Sequence, residues 1–385
     1  MADQVSNEHF DSLLECLNDP DKLKEFFENV SNKIPEDILI KEVKKQNESI
    51  FKLLLEKKIC DVNYQDDKGN TALHHAAKLY NNEIVKLLLE NGADANILNC
   101  EKMTALQMAV YKGKVQNYEI LTKVTEDQTQ RKCSDDRTIL HLAVVGQSEE
   151  IVAKLIDDEN VYWTDKWGRI PLYYAVVRDS SKIVTLLIER MEKTSNNSKN
   201  GKFFEKAVMK TVSAGQYENY LLLQGHLNET SRTIALWHAI YYDNIFFFKN
   251  VLNQDLYYYK SNIDHYEIYR KVIEDEGYEM CAALIKAGFD INATNENRNT
   301  PLHIAALTST SNIFLLLIEN GANPNAFNSA SMAPICTALS YFDCNQREQN
   351  LSLYFTIKKH IDSHKCSNGC FNILRKYLKK CKFIH

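Results

Sequence analysis

The stretch Thr71-Ala-Leu-His-His-Ala76 recurs along the chain at nearly constant spacing. The related stretches are Thr104-Ala-Leu-Gln-Met-Ala109, Thr138-Ile-Leu-His-Leu-Ala143, Ile170-Pro-Leu-Tyr-Tyr-Ala175 and Thr300-Pro-Leu-His-Ile-Ala305. The first four copies begin 33, 34 and 32 residues apart. A fixed period of this length indicates a chain built from stacked supersecondary units, each of which cannot bury its apolar face alone.

Each copy carries the residues that begin a short helix. A threonine at the first position can accept a hydrogen bond from an unpaired backbone N–H at the helix start. Pro171, Pro301 and Pro334 stand at the first helical position, where a missing N–H costs nothing. The leucine and the alanine three residues later share one face, and the small alanine lets helices approach closely. The predicted inward-facing pairs are Leu73 with Ala76, Leu106 with Ala109, Leu140 with Ala143, Leu172 with Ala175 and Leu302 with Ala305.

An apolar run follows each copy and predicts a second helix, as in residues 84–89, 183–188 and 315–318. Gly92 and Gly321 follow two of these runs and suit a left-handed helix cap. Weaker copies of the pattern occur one period outside the clear ones. They predict helices at Ile38–Val43 and Ile50–Leu55 and a further unit starting at Ala333.

This pattern resembles the ankyrin repeat, which has a period of 33 residues and the signature T-P-L-H-x-A. The resemblance implies an all-α ankyrin-repeat solenoid of helix-turn-helix units with β-turn fingers. We expect about ten units over residues 34–350, with drifted units near 203–225 and 267–299 and a lengthened loop at 194–201. Residues 1–33 and 351–385 are predicted to be an N-terminal helical cap and a basic helical C-terminal cap, since terminal repeats are atypical.

Composition excludes several other classes of protein. The net charge of −5 is too small to indicate a nucleic-acid binder, although residues 351–385 hold eight Lys or Arg against one acid. No apolar run approaches the ~20 residues that a membrane helix needs. Ten cysteines at scattered spacings favour reduced thiols. With the acidic, polar first residues, these features predict a cytoplasmic protein, with the nucleus as an alternative.

The sequence predicts no catalytic, metal or cofactor site. No nucleophile elbow, phosphate loop or zinc-protease motif is present. His74, His141 and His303 recur at one repeat position, and the family resemblance implies a structural role in which they bond loop backbone. The tail could supply zinc ligands, but their spacing matches no standard finger. These tail residues are His360, His364, Cys366, Cys370, Cys381 and His385.

The finger tips are the best candidates for partner contacts, because the resemblance places recognition on fingers and first helices. Exposed Trp is typical of interface anchors, so Trp163 and Trp167 are the leading candidates, unless they stack on adjacent fingers instead. The other candidate partner-binding residues are Asp66, Asp67, Lys68, Lys102, Asp165, Lys166, Glu296 and Arg298. In the aromatic middle, Phe246–Phe248 are predicted to be mostly core, and Tyr257–Tyr259 to lie in a turn, partly exposed.

Three functions are compatible with this sequence. The first is a non-enzymatic scaffold or adaptor that binds another protein through the concave finger and first-helix face, with no small-molecule substrate and no nucleic-acid or membrane partner. The second is a host-directed effector or inhibitor of NF-kappa-B-type signalling, since such ankyrin proteins occur in viruses and intracellular bacteria. The third is a toxin or a metal-dependent activity in the tail, which only the Cys and His residues there support.

Overall fold

A computed structural model describes residues 36–46, 48–58, 60–125, 132–193, 200–308, 311–334 and 336–337. Within these ranges the chain forms nineteen α-helices and a short 3-10 turn at Asn160–Tyr162, with no strand. The predicted all-α repeat architecture is therefore confirmed. The predicted terminal caps at 1–33 and 351–385 lie outside the described residues.

Helices follow one another as repeated antiparallel pairs. The first pairs are α1 (Ile38–Lys45) with α2 (Glu48–Glu56), α3 (Ala72–Ala77) with α4 (Asn82–Glu90), α5 (Ala105–Tyr111) with α6 (Val115–Leu121), α7 (Ile139–Val145) with α8 (Glu149–Leu155), and α9 (Pro171–Val177) with α10 (Ser181–Lys193). Then come α11 (Asn200–Ala214), α12 (Tyr217–Gln224), α13 (Glu229–Tyr241), α14 (Ile245–Gln254), α15 (Leu256–Asn262), α16 (His265–Glu274), α17 (Tyr278–Lys286), α18 (Pro301–Leu307) and α19 (Ser311–Glu319).

The chain divides into two compact units. The first runs to residue 207 and includes 221–225, and the second holds 208–220 and the residues from 226 on. In the first unit α1, α3, α5 and α7 each pack against their own second helix and against the first helix of the next repeat. In the second unit α16 packs in the same way against α17 and α18.

The cores of the repeats are the predicted leucine and alanine faces. These leucines expose between 0 and 4% of their surface and the alanines none, and each buried leucine contributes roughly 1.5–3 kcal/mol by leaving water. Asn117 ties neighbouring repeats together, because its amide donates to the carbonyls of Ala76, Ala77 and Leu79 at 3.3, 3.1 and 2.8 Å. Gly146 lies where a Cβ would stand 2.3 Å from the carbonyl oxygen of Val110, so only glycine fits.

Two local predictions are wrong. The run Tyr257–Tyr259 lies in helix α15 rather than in a turn, because Tyr259 is buried and its hydroxyl donates to the carbonyl of Arg232 at 3.1 Å. Tyr257 on the same helix is 87% exposed, so the partial exposure predicted for this run is confirmed. The predicted loop at 194–201 ends earlier, since α11 begins at Asn200, and residues 194–199 lie outside the described part. Phe247 and Phe248 are core, as predicted, whereas Phe246 is exposed.

Candidate partner-binding surface

Each finger tip is a five-residue turn with one polar residue at its base. In the fourth finger, Asp165 N–H donates to the carbonyl of Arg169 at 3.0 Å, and Gly168 N–H donates to the carbonyl of Asp165 at 2.9 Å. The fourth tip position is left-handed, with φ of 67° at Gly168 and 57° at Lys102. The same turn recurs at Asp66–Asn70, Asn99–Met103, Cys133–Arg137, Asn295–Asn299 and Asn328–Met332.

Main-chain hydrogen bonds join neighbouring fingers into a ladder. The N–H of the second tip residue donates to the carbonyl of the third tip residue in the preceding finger. These bonds join Cys100 to Lys68, Ser134 to Glu101 and Lys166 to Asp135 in the first unit, each at 3.0 Å, and Ser329 to Asn297 in the second at 2.9 Å. Four consecutive fingers of the first unit therefore form one continuous edge whose tip side chains are held at fixed spacing.

Asp165 organises the fourth finger from inside. It is buried, and one carboxylate oxygen accepts the N–H groups of Trp167 and Arg169 at 2.8 and 2.9 Å. The other accepts Arg169 Nε at 2.8 Å and the hydroxyl of Tyr174 at 2.7 Å. Burial alone would raise its pKa, but the hydrogen bonds from Tyr174 and the backbone favour the charged form and lower the pKa below its usual value. Its carboxylate is therefore occupied within the finger.

Asp66 has the equivalent place in the first finger. Its carboxylate accepts the N–H groups of Lys68 and Asn70 at 3.0 and 2.8 Å and pairs with His75 Nε2 at 2.8 Å. Burial opposes the ionised form of the Asp66 carboxylate, but the hydrogen bonds from His75 and the backbone favour it. The pKa of Asp66 is therefore lowered. Asp67 and Lys68 beside it are exposed at the tip.

The residue nine positions after the base residue lies on the following helix. Where the base is aspartate, that position holds a hydrogen-bonding side chain, as in Asp66 with His75 and Asp165 with Tyr174. Nine positions after Asn328 stands Thr337, whereas three other fingers with asparagine or cysteine at the base hold an apolar residue there. These pairs are Asn99 with Met108, Cys133 with Leu142, and Asn295 with Ile304. The sequence analysis missed Tyr174 and His75, although this spacing was available to reveal them.

Trp167 is the aromatic side chain at the tip of the fourth finger. It is 46% exposed, and Lys166 Nζ and Arg169 Cζ each lie over its ring, 4.1 and 4.0 Å from the ring centroid. Lys166 also pairs with Asp135, which Arg137 contacts at 2.6 Å. The backbone carbonyl of Trp167 accepts a hydrogen bond from Lys206. The sequence analysis did not identify Arg169 or Lys206, because their approach to Trp167 depends on tertiary packing.

Trp163 does not share the exposure of Trp167. It is half-buried and ends the 3-10 turn, where its N–H donates to the carbonyl of Asn160 at 3.2 Å. The neighbouring Tyr162 donates its hydroxyl to the carbonyl of Met191 at 3.0 Å, which holds this segment against α10. Lys102 is an exposed tip residue in the first unit, whereas Glu296 and Arg298 are exposed tip residues of the second unit.

The recurring histidines are structural. His74 Nδ1 accepts the N–H of Thr71 at 3.2 Å, and its Nε2 bonds the carbonyl of Met103 in the next finger at 3.0 Å. His141 bonds the carbonyl of Arg169 at 3.0 Å, and His303 that of Met332 at 3.1 Å. Burial lowers the pKa of all three, that of His141 to about 4, so they are neutral at pH 7.

The described residues contain no cluster of three His, Cys, Asp or Glu side chains that could hold a metal ion. The candidate zinc ligands from His360 to His385 lie outside the described residues. Cys60, Cys100, Cys133 and Cys281 are free thiols. Cys336 is disulfide-bonded, so the prediction of reduced cysteines is wrong at that position. Within the described ranges, no helix is both long and apolar enough to cross a membrane.

Comparison with known proteins gives the family. Sequence models described as ankyrin repeats match residues 39–132, 117–200 and 269–318, which is more than half of the chain. The chain belongs to the ankyrin-repeat family, whose repeats generally mediate protein–protein interaction.

Individual relatives match only parts of the chain. Two putative ankyrin repeat proteins of fowlpox virus are 28% identical over 65% of this chain and 31% identical over 41% of it. The transient receptor potential cation channel subfamily A member 1 homolog of Caenorhabditis elegans is 32% identical over 32% of it. The chain spans only 37%, 24% and 10% of the lengths of these relatives, respectively.

Proposed function

We propose that this chain is a non-enzymatic scaffold or adaptor that binds another protein through the finger edge and first helices of its first unit, with Trp167 as the main anchor. The observation that carries the proposal is the exposed indole of Trp167, which two cations contact, on a finger whose backbone is fixed by Asp165. Trp and Arg dominate the binding energy of protein interfaces. A rigid finger also avoids the entropic cost of ordering a loop on binding.

The neighbouring exposed side chains extend this surface. Lys166 lies beside Trp167 on the tip, and Lys68, Asp67 and Lys102 occupy the tips of the first two fingers. Since the finger ladder spaces these tips, an extended partner segment can contact several of them at once. Asp66 and Asp165 contribute indirectly, because their carboxylates shape the tips rather than face a partner. The location proposed for this interaction is the cytoplasm or nucleus, and the free thiols of Cys60, Cys100, Cys133 and Cys281 support it.

Affinity capture with a matched variant tests this proposal. The bait proteins are the unmodified chain, Trp167→Ala and Tyr80→Ala, and the captured proteins are quantified by mass spectrometry. Tyr80 is a suitable control because it is 87% exposed and has Lys114 Nζ 3.1 Å from its ring centroid, but lies outside the fingers. We expect at least one captured protein to be retained by Tyr80→Ala and to lose about 30-fold in affinity with Trp167→Ala, which corresponds to a hot spot of about 2 kcal/mol.

Equal retention by Trp167→Ala and by the unmodified chain would refute the role of this finger. Circular dichroism first establishes that both variants keep the fold. Calorimetric titration of each variant with the purified partner then measures the change in affinity.

A host-directed inhibitor of NF-kappa-B-type signalling is the second candidate, and it stays a prediction. The observation that favours it is the likeness to two fowlpox virus proteins, whose names specify no target. Expression in mammalian cells with an NF-kappa-B reporter tests it. Reduced reporter activity that Trp167→Ala restores would support this function, and unchanged reporter activity would count against it.

A further inference from the structure

A tight turn in the second unit exposes three aromatic side chains within six residues. Tyr241, Tyr242 and Phe246 are 69, 48 and 61% exposed at the connection between α13 and α14. The rings of Tyr241 and Tyr242 meet edge to face at 5.0 Å, and His238 stacks on Tyr242 at 5.8 Å. The turn is fixed, because Asn244 N–H donates to the carbonyl of Ala239 at 2.9 Å.

Two further aromatic residues adjoin this turn. The ring of Tyr217, at the start of α12, lies 5.6 Å from that of Phe246. Lys249, three residues beyond Phe246, pairs with Glu279 at 3.3 Å, which brings the start of α17 beside α14. Tyr278 precedes Glu279 and is 47% exposed. We call these five residues the aromatic turn cluster: Tyr217, Tyr241, Tyr242, Phe246 and Tyr278.

Packing within the unit does not account for this exposure. Phe247 and Phe248 on the same helix are fully buried and supply the apolar contacts that α14 needs. Single exposed apolar side chains are ordinary on protein surfaces, whereas a contiguous group of large ones marks an interaction site. The aromatic turn cluster groups four exposed aromatic side chains, with ring contacts between Tyr241 and Tyr242 and between Phe246 and the half-buried Tyr217.

Unpaired acids surround the cluster. Glu218 follows Tyr217, Asp243 lies within the turn, and Glu276 comes two residues before Tyr278, and all three are exposed. Among the residues that the structure describes, no Lys or Arg forms an ion pair with any of these three acids, while the nearby Lys249 pairs with Glu279. The surface therefore combines aromatic faces with an excess of negative charge. Basic side chains complement both features, since Lys and Arg pair with carboxylates and also stack on tyrosine rings.

We propose that the aromatic turn cluster docks an amphipathic segment of another protein, with an apolar face that covers the rings and Lys or Arg side chains beside it that meet Glu218, Asp243 and Glu276. This surface is separate from the fingers along the chain, because it lies at the turn inside a helix pair and not between pairs. It could therefore engage a second partner, or a second part of one partner.

The test uses a fluorescent 18-residue peptide of leucine and lysine, arranged so that the leucines share one helical face. Fluorescence anisotropy measures its binding to the full chain. Two comparison peptides replace lysine by glutamate or leucine by serine. We expect saturable binding of the leucine–lysine peptide alone, weakened as salt is raised.

Two variants test the two features separately. The double variant Tyr241→Ser with Phe246→Ser removes apolar surface, and we expect it to bind the leucine–lysine peptide at least tenfold more weakly. Glu218→Gln with Asp243→Asn and Glu276→Gln removes charge without bulk, and we expect a several-fold loss and a smaller salt dependence. Asparagine suits position 243, whose φ is 49°. The matched control is Tyr257→Ser, because Tyr257 is 87% exposed on α15, outside the cluster.

Several outcomes would overturn the proposal. These are the absence of peptide binding, equal binding of the glutamate peptide, or equal losses with Tyr257→Ser and the cluster variant. Sedimentation velocity supplies another: if the chain self-associates and Tyr241→Ser with Phe246→Ser abolishes this, a second copy of the chain is the occupant. Circular dichroism of each variant establishes that the fold is kept. If the aromatic variant unfolds, the charge variant decides alone, because unchanged peptide binding and salt dependence there would also refute the proposal.

Discussion

Replacement of Asp165 tests how the Trp167 finger is held. In Asp165→Ala, two backbone N–H groups, the guanidinium of Arg169 and the hydroxyl of Tyr174 lose their acceptor. Removal of one partner from a buried ion pair costs roughly 3–5 kcal/mol, and we expect a loss in this range. Asp165→Asn retains one oxygen for the two N–H groups, as Asn99 and Asn328 do in their own fingers. We expect this change to cost about 1–2 kcal/mol, since it loses the charge-assisted bonds.

Urea unfolding followed by tryptophan fluorescence measures both losses. Trp237 is first replaced by phenylalanine, so that the signal comes from Trp163 and Trp167 in the first unit. The unfolding free energy of each variant is compared in this background. The reasoning is refuted if Asp165→Ala costs less than about 1 kcal/mol, or if Asp165→Asn costs as much as the alanine variant, because then the carboxylate does not organise the finger.

The lowered pKa of Asp165 adds a dependence on pH. A carboxylate whose pKa is lower in the folded chain binds protons more weakly there than in the unfolded chain. Its stabilisation is therefore complete above the unfolded pKa of about 3.9 and is lost as pH falls through the lower folded value. We expect the stability difference between the unmodified chain and Asp165→Asn to shrink between pH 5 and pH 3. A difference that stays constant over this range would contradict the assignment.

Three further predictions concern the repeat core. Because burial lowers the pKa of His141 to about 4, the unfolded chain binds more protons between about pH 6.5 and 4, so stability should fall from pH 7 to pH 5. Urea titrations should show a smaller fall in His141→Asn. Gly146→Ala should lower the free energy of unfolding, measured by urea titration, by about 1–3 kcal/mol, because the added Cβ meets the carbonyl of Val110. Gly92→Ala, at a φ of 88° with open space around it, should lower it by about 1 kcal/mol. Asn117→Asp should lower the thermal midpoint by several degrees at pH 7, since a carboxylate would face three carbonyl oxygens; an unchanged midpoint would exclude this role.

The repeat period was sufficient to predict the helix pairs. Thr71 and Leu73 recur with their neighbours at spacings that specify a helix start and a buried face, so local chemistry and packing agree there. Helix α15 was not predicted, because it is an additional helix that the two-helix repeat does not contain. Its position depends on Tyr259 reaching the carbonyl of Arg232, a contact between segments that no local pattern records.

The candidate surface was only partly predictable. Composition identified the segment around Trp163 and Trp167, but not that Trp167 is exposed while Trp163 is half-buried. The segment before Trp163 is held by a contact distant in sequence, since Tyr162 donates its hydroxyl to the carbonyl of Met191. The engagement of Asp165 could have been inferred from Tyr174 nine residues later, had the same spacing between Asp66 and His75 been compared.

The finger ladder has a consequence for how such chains diverge. Main-chain hydrogen bonds join Cys100 to Lys68, Ser134 to Glu101 and Lys166 to Asp135, so side chains can be exchanged without removing these bonds, although Lys166 and Asp135 also form an ion pair. Proline is the exception at positions 100, 134 and 166, since it lacks the N–H that each link requires. Substitutions can therefore accumulate at the tips under little selection for folding, and descendants of one chain can acquire new binding partners while every repeat keeps its place.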